Sequence, residues 1–174
     1  MLVDLSSIIK ITGAKIALDD TVGIETAEFL GETYSFNEPL KINGEIFNNG
    51  KSLTLKARVT GKMQTECARC LKPIEVDVDF DIHELLSREE DGASEDDDVI
   101  LFDGYEIELD DIVTDHFLMN ISGRYLCTED CKGLCPKCGH DLNEGDCGCD
   151  REYIDPRWQA LADILNQQKD ENPD

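Results

Sequence analysis

Eight cysteines constrain this chain more than any other feature of its sequence. Six of them lie between Cys127 and Cys149, where there are almost no aliphatic side chains, so burial of apolar surface cannot order this stretch. The chain starts without the basic flank and apolar run of a signal peptide, and no stretch approaches the length of a membrane span. We therefore expect a cytoplasmic protein whose reduced cysteines serve metal ligation or redox chemistry rather than disulfides.

The cysteine spacing predicts structural zinc. A C-x-x-C pair followed by a C-x-C pair can close a tetrahedron of thiolates around one ion, and these residues are Cys135, Cys138, Cys147 and Cys149. The other four cysteines could form a second site and are Cys67, Cys70, Cys127 and Cys131. The spacing also permits Cys127 or Cys131 to join the first set, or His140 to replace a cysteine. The predicted cofactor is one or two zinc ions, with an iron-sulfur cluster as the main alternative.

Catalysis is not expected. A thioredoxin-like pair lies between a strand and a helix, whereas Cys67 and Cys70 join two predicted strands with Pro73 just beyond. Haem attachment requires His directly after the second cysteine, and Gly139 separates Cys138 from the next histidine. No catalytic triad or phosphate-binding glycine loop occurs, and an all-cysteine site leaves no open coordination position. We therefore predict neither an enzyme nor a small-molecule substrate.

Alternation of apolar and polar residues from Leu40 to Ile82 predicts an antiparallel three-stranded meander. The first turn is assigned to Asn49-Gly50, and the second to the cysteine pair, with the reversal between Ala68 and Arg69. The first hairpin then pairs Leu40 with Val59, Ile42 with Ala57, and Ile46 with Leu53. The second pairs Leu55, Ala57, Val59 and Met63 with Ile82, Phe80, Val78 and Ile74. On the polar face it sets Lys56, Arg58 and Lys62 opposite Asp81, Asp79 and Glu75.

The remaining patterns complete an α+β, β-dominated fold. Residues 88–98 are strongly acidic and predict a disordered loop, and Val99–Phe102 with Tyr105–Ile107 predict a hairpin. Helical spacing from Leu109 to Phe117 predicts one helix packed on a meander or barrel-like sheet. A zinc-knuckle segment follows, and a short terminal helix after Asp155 carries the apolar stripe Trp158, Leu161, Ala162 and Leu165. The predicted domains are residues 1–126 and a cysteine-rich tail, 127–174.

Net charge is −23, which disfavours wholesale electrostatic binding of nucleic acid. Six basic residues nevertheless concentrate between Lys51 and Lys72, with Glu66 as the one acidic residue among them. Lys51, Arg69 and Lys72 lack obvious cross-strand acidic partners, so they are the candidate contacts to RNA or an acidic protein.

Two regions of the chain resemble the YceD family, the large ribosomal RNA subunit accumulation proteins of bacteria and plastids. One is Thr65-Glu66-Cys67-Ala68-Arg69-Cys70-Leu71 with Pro73 and the strand after it. The other runs from Asp130 through Cys135-Pro136-Lys137-Cys138-Gly139, Asp141-Leu142-Asn143 and Cys147-Gly148-Cys149 to Asp155-Pro156-Arg157-Trp158, and is similar to the Gram-positive form of the family.

The resemblance implies a role in the synthesis, processing or assembly of large-subunit ribosomal RNA and brings no catalytic residues. The leading hypothesis is a zinc-binding accessory factor whose partners are ribosomal RNA or large-subunit assembly proteins. A thiol redox or iron-sulfur sensor is the first alternative. The second is a protein-protein interaction module without nucleic-acid contact, which docks through the helix that carries Trp158, Leu161 and Leu165.

Overall fold

A computed structural model describes residues 1–24, 26–29, 31–88, 99–149 and 158. The chain divides into two units, Met1–Glu129 and Asp130–Asp174. The described elements all lie in the first unit. They are β1 (Leu2–Asp4), β2 (Lys15–Val22), β3 (Thr26–Phe29), β4 (Glu32–Ser35), β5 (Leu40–Asn48), β6 (Leu53–Glu66), β7 (Pro73–Arg88), β8 (Ile100–Phe102), β9 (Glu106–Glu108) and α1 (Leu109–Asn120).

Strand β6 organises the main sheet. It pairs antiparallel with β7 along its whole length, with β5 along its first half and with β4 near its end. Strand β2 extends the sheet beyond β5, and β3 extends it beyond β4. Strand β8 adds a parallel pair beside β7, and β1 pairs separately with β9. The prediction of a β-dominated fold with an antiparallel meander and one helix is confirmed. The sheet stays open and does not close into a barrel.

Alternation along β6 and the apolar stripe of α1 build the core. The buried apolar side chains of β6 are Leu53, Leu55, Ala57, Val59 and Met63, and those of α1 are Leu109, Ile112, Val113 and Phe117. The Phe117 ring lies edge-on to the rings of Tyr34 and Phe36, with centroids 5.9 and 5.1 Å away. Each large apolar side chain buried in this way contributes about 1.5–3 kcal/mol of transfer free energy.

The predicted register of the first hairpin is wrong by two residues. Ile42 lies opposite Val59, not Ala57, and Asn48 opposite Leu53. The turn therefore holds four residues, 49–52. The Asn49 side chain stabilises this longer turn by accepting hydrogen bonds from the backbone N–H groups of Lys51 and Ser52. A shift of two keeps every side chain on its predicted face, since side chains alternate with period two.

The second hairpin is displaced by the same amount. Six residues, not a tight reversal, separate Glu66 from its partner Pro73, and Arg58 lies opposite Asp81. Two of the three predicted charged pairs form nevertheless on the diagonal: Arg58 contacts Asp79 at 2.6 Å and Lys62 contacts Glu75 at 2.5 Å. Long basic side chains reach a diagonal neighbour as readily as a direct one, so charge complementarity did not discriminate between the two registers.

The predicted hairpin around Asp103-Gly104 is also wrong. β8 pairs in parallel with β7, and β9 pairs antiparallel with β1. Both segments find partners distant in sequence, which local turn residues do not reveal.

Two predictions fall outside the described residues. They are the acidic loop, of which only Arg88 is described, and the terminal helix, of which only Trp158 is described. Within the described part of the chain, no helix combines the length and apolar character that a membrane span requires.

Candidate metal centres

Two clusters of cysteine thiols that could each hold a metal ion occur among the described residues. The first lies at the turn between β6 and β7. There the backbone N–H of Cys67 donates to the Lys72 carbonyl at 2.8 Å, and the N–H of Leu71 donates to the Cys67 carbonyl at 2.9 Å. Leu71 has a φ of 59°, a left-handed conformation that lets the chain wrap around both thiols. Cys67 and Cys70 are buried as a result.

Cys127 completes the thiols that the first unit brings to this turn. Its Sγ lies 3.7 Å from that of Cys70, and the N–H of Ala68 donates to the Tyr125 carbonyl at 2.9 Å, which ties the segment after α1 to the turn. Zinc–sulfur bonds of about 2.3 Å in a tetrahedron set sulfur atoms about 3.8 Å apart. The 3.7 Å separation therefore fits two thiolates that share one metal ion.

The second cluster lies within the tail unit. The Sγ atoms of Cys135, Cys138, Cys147 and Cys149 all lie within 4.8 Å of one another. The Gly139 N–H donates to the Cys135 carbonyl at 2.8 Å, and Gly139 has a φ of 73°, so the loop after the C-x-x-C pair reverses tightly around the thiols. This is the set that the spacing predicted, and no His140 nitrogen belongs to it.

Cys131 also lies in the tail unit, four residues after Cys127. It is buried, and the side-chain amide of Asn143 donates to its Sγ at 3.4 Å. The same side chain accepts a hydrogen bond from the Lys132 N–H at 2.8 Å. An asparagine that donates to a thiolate has no spacing signature, so this role of Asn143 does not follow from the sequence.

The pKa values of two thiols, those of Cys67 and Cys135, suit metal ligation. Burial raises the pKa of Cys67, but hydrogen bonds from the backbone N–H groups of Cys127, Cys70 and Arg69 outweigh burial and lower that pKa to about 6. The N–H groups of Cys138 and Lys137 likewise lower the pKa of Cys135 to about 6. Cys149 shares hydrogen bonds with the Cys138 and Cys147 side chains, which raise its pKa to about 12. Thiolates bind soft or borderline cations such as zinc and iron.

The predicted basic contacts do not form one surface. Arg69 lies in the cysteine turn, where its guanidinium reaches the Glu129 carbonyl at 3.5 Å, and Lys72 ends the same turn. Lys51 lies in the turn at the other end of β6. Because that strand has 14 residues, about 44 Å separates its ends. In the predicted partner helix, Trp158 is exposed, while Leu161 and Leu165 lie outside the described residues.

The first two histidines of the chain have no place in the clusters. His83 is exposed on β7, and His116 is half-buried on α1 with its Nε2 2.8 Å from a Glu84 carboxylate oxygen. An exposed and a half-buried position of this kind are ordinary surface and packing positions for histidine.

Comparisons with known proteins identify relatives of this chain. The sequence model of the YceD family, described as large ribosomal RNA subunit accumulation protein YceD, matches residues 55–165. Uncharacterized proteins of Mycobacterium bovis and Mycobacterium tuberculosis are each 30% identical over 188 residues, which covers 98% of this chain and 84% of theirs. No solved structure matches the chain.

A plant relative carries an informative name. The large ribosomal RNA subunit accumulation protein YCED homolog 1, chloroplastic, of Arabidopsis thaliana is 34% identical over 62 residues, or 36% of this chain and 19% of its own. The family match covers more than half of the chain and includes all eight cysteines. The protein therefore belongs to the YceD family.

Proposed function

We propose that this protein is a cytoplasmic, non-catalytic accessory factor that supports the accumulation of large-subunit ribosomal RNA. The family membership carries this proposal, because the family and its plant relative are both named for that role. Its partners are ribosomal RNA or assembly proteins of the large subunit. The two thiol clusters support a structural use of metal, since four thiolates leave no position open for a reacting water.

Zinc is the proposed ion in both clusters. Cys135, Cys138, Cys147 and Cys149 form one complete ligand set in the tail unit. For the other site, Cys67, Cys70 and Cys127 supply three thiolates, and Cys131 is the proposed fourth ligand because only three residues separate it from Cys127. Bound zinc neutralises part of the thiolate charge and orders segments too poor in apolar residues to order themselves.

A thiol or iron-sulfur sensor is the second candidate. It is favoured by the pKa of about 6 at Cys67, which makes this thiol a thiolate at neutral pH. A sensor differs from a scaffold in a measurable way. It carries iron with visible absorbance, or it forms a Cys67–Cys70 disulfide that a mild reductant reverses.

Depletion of the protein in its own organism tests the proposed function. The expected result is a fall in the ratio of large-subunit to small-subunit ribosomal RNA, measured by electrophoresis of total RNA and by sedimentation of ribosomal particles. The wild-type chain restores the ratio, and a Cys135→Ser/Cys138→Ser variant restores it less well. An unchanged ratio after complete depletion contradicts the proposal. An unchanged ratio with an altered response to oxidants favours the sensor.

The proposed contact at the cysteine turn has its own test. Replacing Arg69 and Lys72 with alanine is expected to weaken co-sedimentation with large-subunit precursors while the metal content stays normal. Removing residues 156–174 tests the interaction-module alternative. Of the three hypotheses, only this one predicts that the deletion abolishes all binding to the partner.

A further inference from the structure

A cleft of about 330 Å³ lies at the end of the sheet remote from the cysteine turn. Its apolar floor includes Leu53, Leu86 and Phe102. One wall is the segment before β2, another is the β5–β6 turn, and the third is the end of β7. The proposed function makes no use of this cleft.

The cleft is held in shape by a buried side chain. The amide of Asn48 donates to the carbonyl oxygens of Ile8 and Ile9, both at 2.9 Å, and its side-chain oxygen accepts from the Gly50 N–H at 2.7 Å. One side chain thus joins the first wall to the β5–β6 turn. Gly50, with a φ of 92°, packs so closely on the Thr12 methyl group that an added Cβ would lie 3.1 Å from it. This preorganisation lowers the entropic cost of binding a ligand.

Positive charge and hydroxyl groups line the cleft. Its cations are Lys10, Lys51 and Arg88, and its hydroxyls are those of Thr12, Ser52 and Ser87. None of the described lining residues is acidic, although acidic side chains outnumber basic ones by 39 to 16 in the chain. Lys10 and Lys51 form no ion pair with another described residue. Ammonium, guanidinium and hydroxyl groups together are the donors that bind phosphate oxygens.

An exposed aromatic ring stands beside these cations. The Lys10 Nζ lies 6.0 Å and the Arg88 Cζ 5.9 Å from the centroid of the Tyr105 ring, which is 45% exposed. Cation–π attraction holds both charges near the ring. Basic groups beside an exposed aromatic are the combination that binds single-stranded nucleic acid, by phosphate contact and base stacking.

We infer that this cleft is a binding site for single-stranded RNA, with backbone phosphates on Lys10 and Lys51 and a base against Tyr105. The inference rests on the proposed function for the choice of RNA, because the same cations would also attract an acidic peptide. The exposed aromatic favours RNA, since a planar base matches it and a carboxylate does not. The site lies at the opposite end of β6 from Arg69 and Lys72, so the two can be tested independently.

Fluorescence anisotropy with a labelled single-stranded RNA of about 12 nucleotides tests the inference on the full-length, metal-loaded protein. The Lys10→Ala/Lys51→Ala variant is expected to raise the dissociation constant by about tenfold or more. It should also make the dependence of log K on log salt shallower by about 1.4, because two phosphate contacts are lost. The matched control, Lys41→Ala/Lys56→Ala, removes the same charge from exposed positions on the strands and should change both quantities little.

Variants of Tyr105 distinguish the contribution of base stacking to RNA binding from that of charge. Tyr105→Ala should weaken RNA binding with an unchanged salt dependence, whereas Tyr105→Phe should bind as the wild type does. Equal effects of the cleft and control double variants would overturn the inference. So would tighter binding of poly-glutamate than of RNA, which would assign the cleft to an acidic peptide.

The depletion assay distinguishes a failure of the proposed function from a failure of the RNA-binding cleft. Normal ribosomal RNA ratios in depleted cells, with cleft-dependent RNA binding intact in vitro, contradict the proposed function and leave the cleft assignment in place. A second outcome is a reduced ratio in depleted cells that the Lys10→Ala/Lys51→Ala variant restores fully, when this variant also binds RNA as tightly as the wild type. That outcome contradicts the cleft assignment and leaves the proposed function in place.

Discussion

Single residues decide where the strands of this sheet can meet. Gly44 of β5 lies opposite Ala57 of β6, and a Cβ built on Gly44 would be 2.7 Å from the Ala57 Cβ and closer still to the Lys56 carbonyl oxygen. Backbone atoms of a central strand have little freedom to withdraw. This position therefore tolerates glycine alone, although its φ is unexceptional.

Gly44→Ala is expected to destabilise the protein by about 2 kcal/mol or more, because the added methyl group forces β5 away from β6. Urea unfolding followed by circular dichroism measures the change in the free energy of unfolding. Gly23→Ala is the matched control, since nothing lies within 4 Å of its added Cβ. Equal stability of the two variants would show that β5 and β6 are not packed as described.

Phe117 is a second residue whose loss should be costly. Its ring is almost fully buried against Tyr34 and Phe36. Phe117→Ala should lower the free energy of unfolding by about 3–5 kcal/mol through lost burial and a residual cavity. Met119→Ala on the same helix is the control, because Met119 is exposed and its truncation should cost little. A small effect of Phe117→Ala in the same urea titration would contradict the packing of α1.

At the scale of elements, sequence periodicity was informative where strands are long and paired with sequence neighbours. Strands β5 to β7 and α1 follow directly from it. The first 35 residues show no clear period, because Asp19 and Asp20 interrupt the alternation of β2, and β3 and β4 have only four residues each. The predicted strand register is wrong where side chains shape the turn, at Asn49 and at Cys67 and Cys70.

The candidate site shows the same division. Spacing alone grouped the cysteines of the tail cluster, since they lie close together in the chain. It could not show that Cys127 meets Cys70, which depends on where the chain returns after α1. Spacing also suggests that Lys51 and Arg69 lie together, because only 17 residues separate them in the chain. Most of those residues form the extended strand β6, which places the two side chains at its opposite ends.

The polar face of β6 and β7 has a predictable response to acid. Hydrogen bonds from Arg58 and Lys62 lower the pKa values of Asp79 and Glu75 below their ordinary values of 3.8 and 4.5. Carboxylates with a lowered pKa in the folded state stabilise it fully above those ordinary values, and the contribution is lost as pH falls through the lowered ones.

Arg58→Ala/Lys62→Ala should therefore differ from the wild type at pH 6 and converge with it at pH 2. Both pairs are exposed, so the difference should be small and should shrink in high salt. Unfolding midpoints measured across pH and salt provide the check. A difference that grows towards low pH would contradict the assignment of these pairs.

At the scale of the whole molecule, two kinds of order operate. The β-rich unit has an extensive apolar core, whereas the described residues of the tail unit, 130–149 and 158, include few buried apolar side chains, so this segment depends on its thiols. Chelation should therefore disorder the tail while the β-rich unit keeps its secondary structure. Limited proteolysis before and after chelation should show cleavage moving into residues 130–149. Simultaneous loss of strand signal in circular dichroism would contradict this independence.

Elemental analysis of the purified native protein by plasma mass spectrometry counts the metal ions that the two thiol clusters hold. A structural role for zinc predicts about two zinc ions per chain, one for each thiol cluster. It also predicts about one zinc ion in Cys67→Ser/Cys70→Ser and about one in Cys138→Ser/Cys147→Ser. Iron with visible absorbance, or a metal-free protein whose thiols oxidise reversibly, would contradict the structural-zinc account and favour the sensor.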